Sequence, residues 1–222
     1  MLESTQSAEY PLNSEGVWCQ ILQRPARDRP ALFLDRDGAV VEETGYLRRV
    51  QDIVIIPGAA EVISIANLRR VPVVMITNQS GIGRGYYDWT DFKSVQDAIV
   101  SSLIAAGARI DAVYACPHHP EAKGLLAHPD HPARKPNPGM LLRAAADLAL
   151  DLKASWLVGD KADDIAAAKR AGIAGALHVA TGYGAAERAH AAKLASPKFV
   201  VRFGQSIADA MTLPIIMPDD GG

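Results

Sequence analysis

From Pro30 onward this chain keeps a strict rhythm: apolar runs of strand length alternate with amphipathic segments of helix length. Residues 31–35 (ALFLD), 71–77 (VPVVMIT), 110–116 (IDAVYAC), 155–160 (SWLVGD) and 174–181 (AGALHVAT) read as strands, with a weaker one at 198–201 (KFVV) before 205–211 (QSIADAM). Between them, residues 58–70, 91–108, 138–150 and 162–172 carry apolar positions at helical spacing. Pro138 suits a first helical turn, and Gly172 suits a helix end. Near-continuous apolar strands joined by helices predict an α/β fold, with a mostly parallel sheet covered by helices on both faces. Sheets of this kind bind ligands outside the carboxyl ends of their strands.

Composition narrows the setting. A chain of 222 residues, 49% hydrophobic and 22% charged, fits one globular domain with an extension, or two small domains. We expect a domain over residues 31–213, an N-terminal extension over 1–30 and a C-terminal tail over 214–222. The apolar patch Val17, Trp18, Ile21 and Leu22 within the extension either docks on the domain or belongs to a tail. A net charge of −2 offers no basic footprint for nucleic acid. No apolar run approaches the roughly 18–20 residues that cross a bilayer, so no membrane partner is expected. The two cysteines, Cys19 and Cys116, make no disulfide framework, and GVWCQIL is too short and too late for a secretory signal. A cytoplasmic monomer acting on a small phosphorylated metabolite is the expectation, for the reasons that follow.

Four predicted strand ends carry polar residues of one kind. The first gives Asp35-Arg36-Asp37-Gly38, and the second Thr77-Asn78-Gln79-Ser80-Gly81 running to Arg84. Arg134-Lys135-Pro136 follows the third, and the fourth gives Asp160-Lys161 with Asp163 and Asp164 behind. Read singly, Asp35 and Asp37 suit a turn, Thr77-Asn78 an ordinary strand end, and Arg134-Lys135 a solvated pair. Asp160 to Asp164 would likewise favour a helix N-terminus. Their coincidence at successive strand ends points to one shared site.

That mixture suits phosphoryl transfer. Asp35 and Asp160 brought together would repel unless a hard cation joined them, and carboxylates with a carbonyl and waters suit Mg²⁺. Lys135 neutralises charge on the transferring group, while Thr77 and Asn78 donate hydrogen bonds to its oxygens. One carboxylate can attack phosphorus and the other can move protons.

In order, DRDG, ITNQSG, RKPNPGML and VGDKADD resemble the four motifs of haloacid dehalogenase-type phosphatases. The nearer likeness is to the small, capless branch acting on heptose bisphosphates and on histidinol phosphate, and it covers about residues 31–212. The resemblance implies a Rossmann-like fold without a large cap domain and an aspartyl-phosphate mechanism. It makes Asp35 the nucleophile and Asp37 the acid and base, with Mg²⁺ on Asp35, Asp160 and the Asp37 carbonyl. Thr77, Asn78 and Lys135 would bind the transferring phosphate. TNQSGIGRG and EETGYL resemble the heptose enzymes more closely, which implies substrate contacts at Glu43, Thr44, Gly45, Tyr46, Gln79, Ser80, Arg84, Arg134 and Lys161. Removal of the 7-phosphate from D-glycero-D-manno-heptose 1,7-bisphosphate is the implied reaction. Histidinol phosphate or another small metabolite is the alternative, and a non-catalytic phosphosugar-binding module lies further off.

The chain departs from the family pattern twice. Ala39 stands where threonine usually follows DxDG, removing a hydrogen bond near the nucleophile. The branch often carries a zinc loop before RKP; here Cys116 and His118 match it, but His131 and Ala133 replace two cysteines. We expect a structural Zn²⁺ on Cys116, His118 and His131, with His128 completing four ligands.

Overall fold

The computed structural model describes residues 10–217. The outer ends of the expected extension and tail lie outside the described residues. Seven strands form one sheet: β1 (Trp18–Ile21), β2 (Leu32–Leu34), β3 (Val73–Asn78), β4 (Ala112–Cys116), β5 (Trp156–Gly159), β6 (Gly175–Val179) and β7 (Val200–Gly204). Its order is β1-β4-β3-β2-β5-β6-β7, and every pairing is parallel except β1 with β4.

Among the described residues, six helices cover it: α1 (Ala59–Leu68), α2 (Ser80–Arg84), α3 (Trp89–Ala105), α4 (Gly139–Leu148), α5 (Ala162–Ala171) and α6 (Gly184–Ala192). The longest, α3, starts where Asp88 accepts the N–H groups of Thr90 and Asp91 while Asp91 answers the Asp88 N–H. Such a reciprocal cap is worth about 1 kcal/mol. Helix α3 buries Trp89, Phe92, Val95, Ile99 and Leu103, a three-and-four spacing that lays one stripe on the sheet. With α1 it closes one face; Met140 and Leu141 of α4 and Ile165 of α5 pack the other.

The topology explains where a site must form. From β2 the chain steps outward through β3 and β4, then crosses back to place β5 on the other side of β2. The carboxyl end of β2 is therefore a switch point, flanked by the ends of β3 and β5. Leu32, Phe33 and Leu34 are fully buried. At about 1.5–3 kcal/mol per buried side chain, they hold the residues that follow in a fixed place.

The apolar patch of the extension takes the docked alternative, and three further features add to the sequence reading. Residues 18–21, inside the stretch read as an extension, are the edge strand β1, and Trp18 is buried against Trp89 and Phe92. Ile216, in the stretch read as a tail, is fully buried. Helix α6 was also missed, because its alanine-rich run buries only Gly184 and Ala191 and carries little amphipathic signal. Among the described residues, no helix is long and apolar enough to cross a membrane.

Candidate active site

Asp35 sits one residue beyond β2, its N–H bonded to the Val158 carbonyl at 2.9 Å, so the sheet ladder itself places it. Lys135 is buried beside it, with Nζ 2.5 Å from Asp35 Oδ1 and 2.5 Å from Asp164 Oδ1. The same nitrogen donates to the Ile76 carbonyl at 3.2 Å. Burial alone would lower the Lys135 pKa, but Asp164 and Asp35 reverse this and raise it, so the lysine stays charged. Its position depends on Asn78, whose amide donates to the Lys135 carbonyl at 3.0 Å and accepts the Lys135 N–H at 3.1 Å. Asn78 lines the crevice, with its side-chain amide engaged by the Lys135 backbone.

Ligating oxygens of Asp35, Asp160 and Asp164 lie within 4.8 Å of one another. Asp160 Oδ2 accepts the Tyr183 N–H at 2.8 Å, while Oδ1 is buried without a hydrogen-bond partner. Burial, then the neighbouring carboxylates, push Asp35 well above the ordinary range against the pull of Lys135. Burial and Asp164 push Asp160 up to about 7. Crowded carboxylates with an orphaned oxygen fit a hard, oxygen-seeking cation such as Mg²⁺. Asp164 joins this group, but its oxygens already hold Lys135 and the Lys161 N–H at 2.9 Å. Gly38 is what lets the group pack: its φ is +93°, and a Cβ there would stand 2.5 Å from Asp160 Oδ2. Ala39, next in the chain, is buried in the apolar core.

Asp37 has different company. Arg36, 1% exposed, sets its NH2 group 2.9 Å from Asp37 Oδ2 and its Nε 3.1 and 3.0 Å from the two carboxylate oxygens. Gln79 Nε2 donates to Asp37 Oδ2 at 2.9 Å and to Thr77 Oγ1 at 2.7 Å, and the Thr77 hydroxyl lies 3.4 Å from Asp37 Oδ2. Gln79 Oε1 accepts from Tyr87 at 2.5 Å and from Arg36 at 3.2 Å. Burial holds the Tyr87 phenol well above its ordinary pKa, so it remains a donor. Gln79, expected at the substrate, is 2% exposed in the crevice wall, and its amide bonds to this inner set. Arg36 and Tyr87 had not been singled out. A charged residue between two acids looks in sequence like any turn residue, and nothing there shows which way it points.

These groups line a crevice of about 280 Å³, together with Glu43, Gly45, Tyr46, Ser80, Arg134, Lys161, Asp163 and Tyr183. At its mouth Lys161 lies 3.4 Å from Glu43 and 4.3 Å above the Tyr183 ring. Glu43 also accepts the Gly45 N–H at 2.6 Å, which bends the 43–46 loop. Arg134 donates to the His118 carbonyl at 3.1 Å. Two expected contacts fall outside the lining. Thr44 is exposed, and Arg84 is engaged by Glu121 at 3.0 Å and by the Tyr46 hydroxyl at 3.0 Å. Arg84 therefore reaches the crevice only through Tyr46.

The expected zinc set is not assembled. His118 and His131 stack face to face with ring centroids 3.6 Å apart, and His128 stands edge-on to His131 at 5.1 Å. His118 Nε2 donates to the Glu15 carbonyl at 2.7 Å, and the Nδ1 atoms of His131 and His128 accept backbone N–H groups at 3.1 Å. Burial pushes the Cys116 thiol up to about 12. Among the described residues, Asp35, Asp160 and Asp164 alone bring three metal-binding side chains together. The loop is held by ring stacking and main-chain bonds, and His118 Nδ1 is buried without a hydrogen-bond partner.

A carboxylate at a switch point, a buried lysine upon it and a second acid two residues on define a phosphoryl-transfer site of the haloacid dehalogenase type, and this chain belongs to that family and is a phosphatase. The HAD-hydrolase-like family profile matches residues 132–206. A D-glycero-beta-D-manno-heptose-1,7-bisphosphate 7-phosphatase of Mesorhizobium japonicum is 46% identical over 167 residues, covering 74% of this chain and 77% of that one. The protein of the same name from Escherichia coli K12 is 36% identical over 157 residues, covering 71% and 82%. Among solved structures, a candidate HAD-like phosphatase of Mesorhizobium loti superposes with a TM-score of 0.83 at 38% identity, covering 96% of this chain and all of that one. The D,D-heptose 1,7-bisphosphate phosphatase of B. bronchiseptica, solved with magnesium and phosphate, gives 0.71 at 29% identity, covering 81% and 94%.

Proposed function

We propose that this phosphatase removes the 7-phosphate of D-glycero-D-manno-heptose 1,7-bisphosphate through a phosphoryl-Asp35 intermediate. The observation that carries the mechanism is the buried Asp35 carboxylate, gripped by Lys135 on one oxygen and crowded by Asp160, whose Oδ1 has no partner. Asp35 attacks phosphorus as the bond to the sugar oxygen breaks, and Asp37 gives that oxygen its proton. Water then attacks phosphorus, Asp37 takes the water's proton, and Asp35 is released. Lys135 stays charged throughout and answers the negative charge of the phosphoryl oxygens. Asp35, Asp160 and the Asp37 carbonyl would hold Mg²⁺, with Asp164 beside them. Bound there, the cation supplies charge neutralisation.

The heptose assignment draws on the named relatives at 36–46% identity and on the mouth. Lys161 and Arg134 offer positive charge, and Tyr46 and Tyr183 offer flat faces, all on loops rather than a cap. Phosphate release measured with the heptose bisphosphate, histidinol phosphate and a 3′-phosphorylated oligonucleotide tests it. We expect kcat/KM for the heptose bisphosphate to lead by at least about tenfold, a difference that a few lost contacts would produce. An equal or higher value for histidinol phosphate would move the assignment to that substrate.

A further inference from the structure

We propose that Arg36, Gln79 and Tyr87 form a buried positioning set that orients Asp37 for its proton transfers. The inference rests on the reading of Asp37 as acid and base, and adds residues whose hydrogen bonds go chiefly to Asp37 and to one another.

Arg36 raises the question. Its guanidinium cannot lose its charge, and removing a charge from water costs several kcal/mol unless a partner answers it. It is nonetheless 1% exposed, in the turn that leaves β2. Among the described residues its ion-pair partner is Asp37; its NH2 group also donates to Gln79 Oε1, its NH1 group is buried without a hydrogen-bond partner, and the Phe92 ring lies 5.4 Å from the guanidinium carbon. A surface turn would have let this side chain reach solvent.

Gln79 shows what the arrangement achieves. Arg36 and Tyr87 both donate, and both point at Gln79 Oε1. The amide therefore has one orientation, with Nε2 facing Asp37 and Thr77. On Asp37, Oδ2 receives Arg36, Gln79 and Thr77, whereas Oδ1 receives only Arg36 Nε at 3.1 Å. The set thus grips the carboxylate by one oxygen and leaves the other less saturated. A group that must give a proton and later take one needs a fixed direction and a spare lone pair, and both are provided.

A set that acts through Asp37 has a signature that a merely structural one lacks. An alkyl phosphate leaves poorly without a proton, whereas p-nitrophenyl phosphate leaves well without one. The test measures kcat/KM for the heptose bisphosphate and p-nitrophenyl phosphate with Asp37→Asn, Arg36→Met, Arg36→Lys and Tyr87→Phe. Losing oriented proton transfer costs on the order of 10²–10⁴. We therefore expect Arg36→Met to lose about 10²-fold on the alkyl substrate and less than about threefold on the aryl one. Arg36→Lys should recover part of the alkyl rate. Tyr87→Phe, which removes only the hydroxyl and keeps the fold should Arg36→Met not, should lose about three- to tenfold on the alkyl substrate alone. Equal losses on both substrates, or a Tyr87→Phe enzyme at the parent rate on both, would overturn the positioning set while leaving Asp37 its role. An Asp37→Asn enzyme with equal losses on both would instead overturn the reading of Asp37, and the inference with it.

Discussion

Two neighbouring regions carry side chains that bind metals, and the fold treats them in opposite ways. At the carboxyl edge of the sheet, Asp35, Asp160 and Asp164 are crowded together with an oxygen left over. In the 116–131 loop, the rings of His118, His128 and His131 pack on one another and each bonds once to the backbone, while His118 Nδ1 is buried without a partner. Strands set the first group, since Asp35 and Asp160 each follow a paired strand whose register fixes them. A loop sets the second, and there one nitrogen of each ring takes a backbone partner. The first arrangement presents crowded carboxylates to a cation; the second stacks its rings and does not converge three ligating atoms.

The contrast breaks most visibly at Asp35. Asp35→Asn should abolish turnover, because an amide cannot attack phosphorus, and should melt no lower than the parent in chelator, because it relieves a crowded charge. Any phosphate release near the parent rate in that variant would remove Asp35 from the chemistry. Lys135→Met should cost about 3–5 kcal/mol of stability in denaturant titration, since it strands Asp35 and Asp164 without their buried cation. A loss under 1 kcal/mol would mean that water or a rotation of Asp164 replaces the lysine easily.

Titration sharpens the same contrast. Asp160 is raised from the ordinary 3.8 to about 7 in the metal-free fold. A folded pKa raised above the unfolded value gives stability that is complete below the unfolded pKa and is lost as pH rises through the folded one. In chelator, then, the contribution of Asp160 falls away between about pH 4 and pH 7. Mg²⁺ binds the ionised group, so its stabilisation should be small near pH 5.5 and grow past pH 7. Thermal melts with and without Mg²⁺ across that range check this, and a Mg²⁺ effect that shrinks with rising pH would contradict it.

Smaller effects belong to the mouth and the loop. Arg134→Ala should raise KM for the heptose bisphosphate more than for p-nitrophenyl phosphate, which has no second anionic group. Arg84→Ala, acting only through Tyr46, should do so more weakly. The reverse order would put Arg84 at the substrate. His128→Ala should change stability by no more than about 0.5 kcal/mol, as for a partly exposed site without a key partner. A change of several kcal/mol would show that the loop depends on that histidine in a way its contacts do not reveal.

What was legible in the sequence follows from the same distinction. Residues 31–35, 71–77 and 155–160 announce buried strands, and parallel pairing leaves their ends no choice but to converge, so Asp35, Thr77, Lys135 and Asp160 could be placed from the pattern. Strand β1 could not, because a four-residue edge strand pairing on one side needs only a weak pattern. Nor could the fate of amides and a guanidinium at a turn be read. Asn78 serves the Lys135 backbone, Gln79 serves Asp37, and Arg36 turns inward, because hydrogen-bond partners come from segments far away in the chain. The histidine loop was ambiguous for a related reason: its spacing permits a metal site, but spacing does not say which ring atoms the backbone engages.

The central claim is that phosphorus passes through Asp35. Acid-quenching enzyme and heptose bisphosphate within a single turnover, followed by peptide mapping by mass spectrometry, tests it directly. The account requires a hydroxylamine-labile phosphoryl group on the peptide holding Asp35, formed and lost at rates compatible with turnover, and absent from Asp35→Asn. A phosphoryl group on another residue, or release of phosphate at the parent rate by Asp35→Asn, would contradict it.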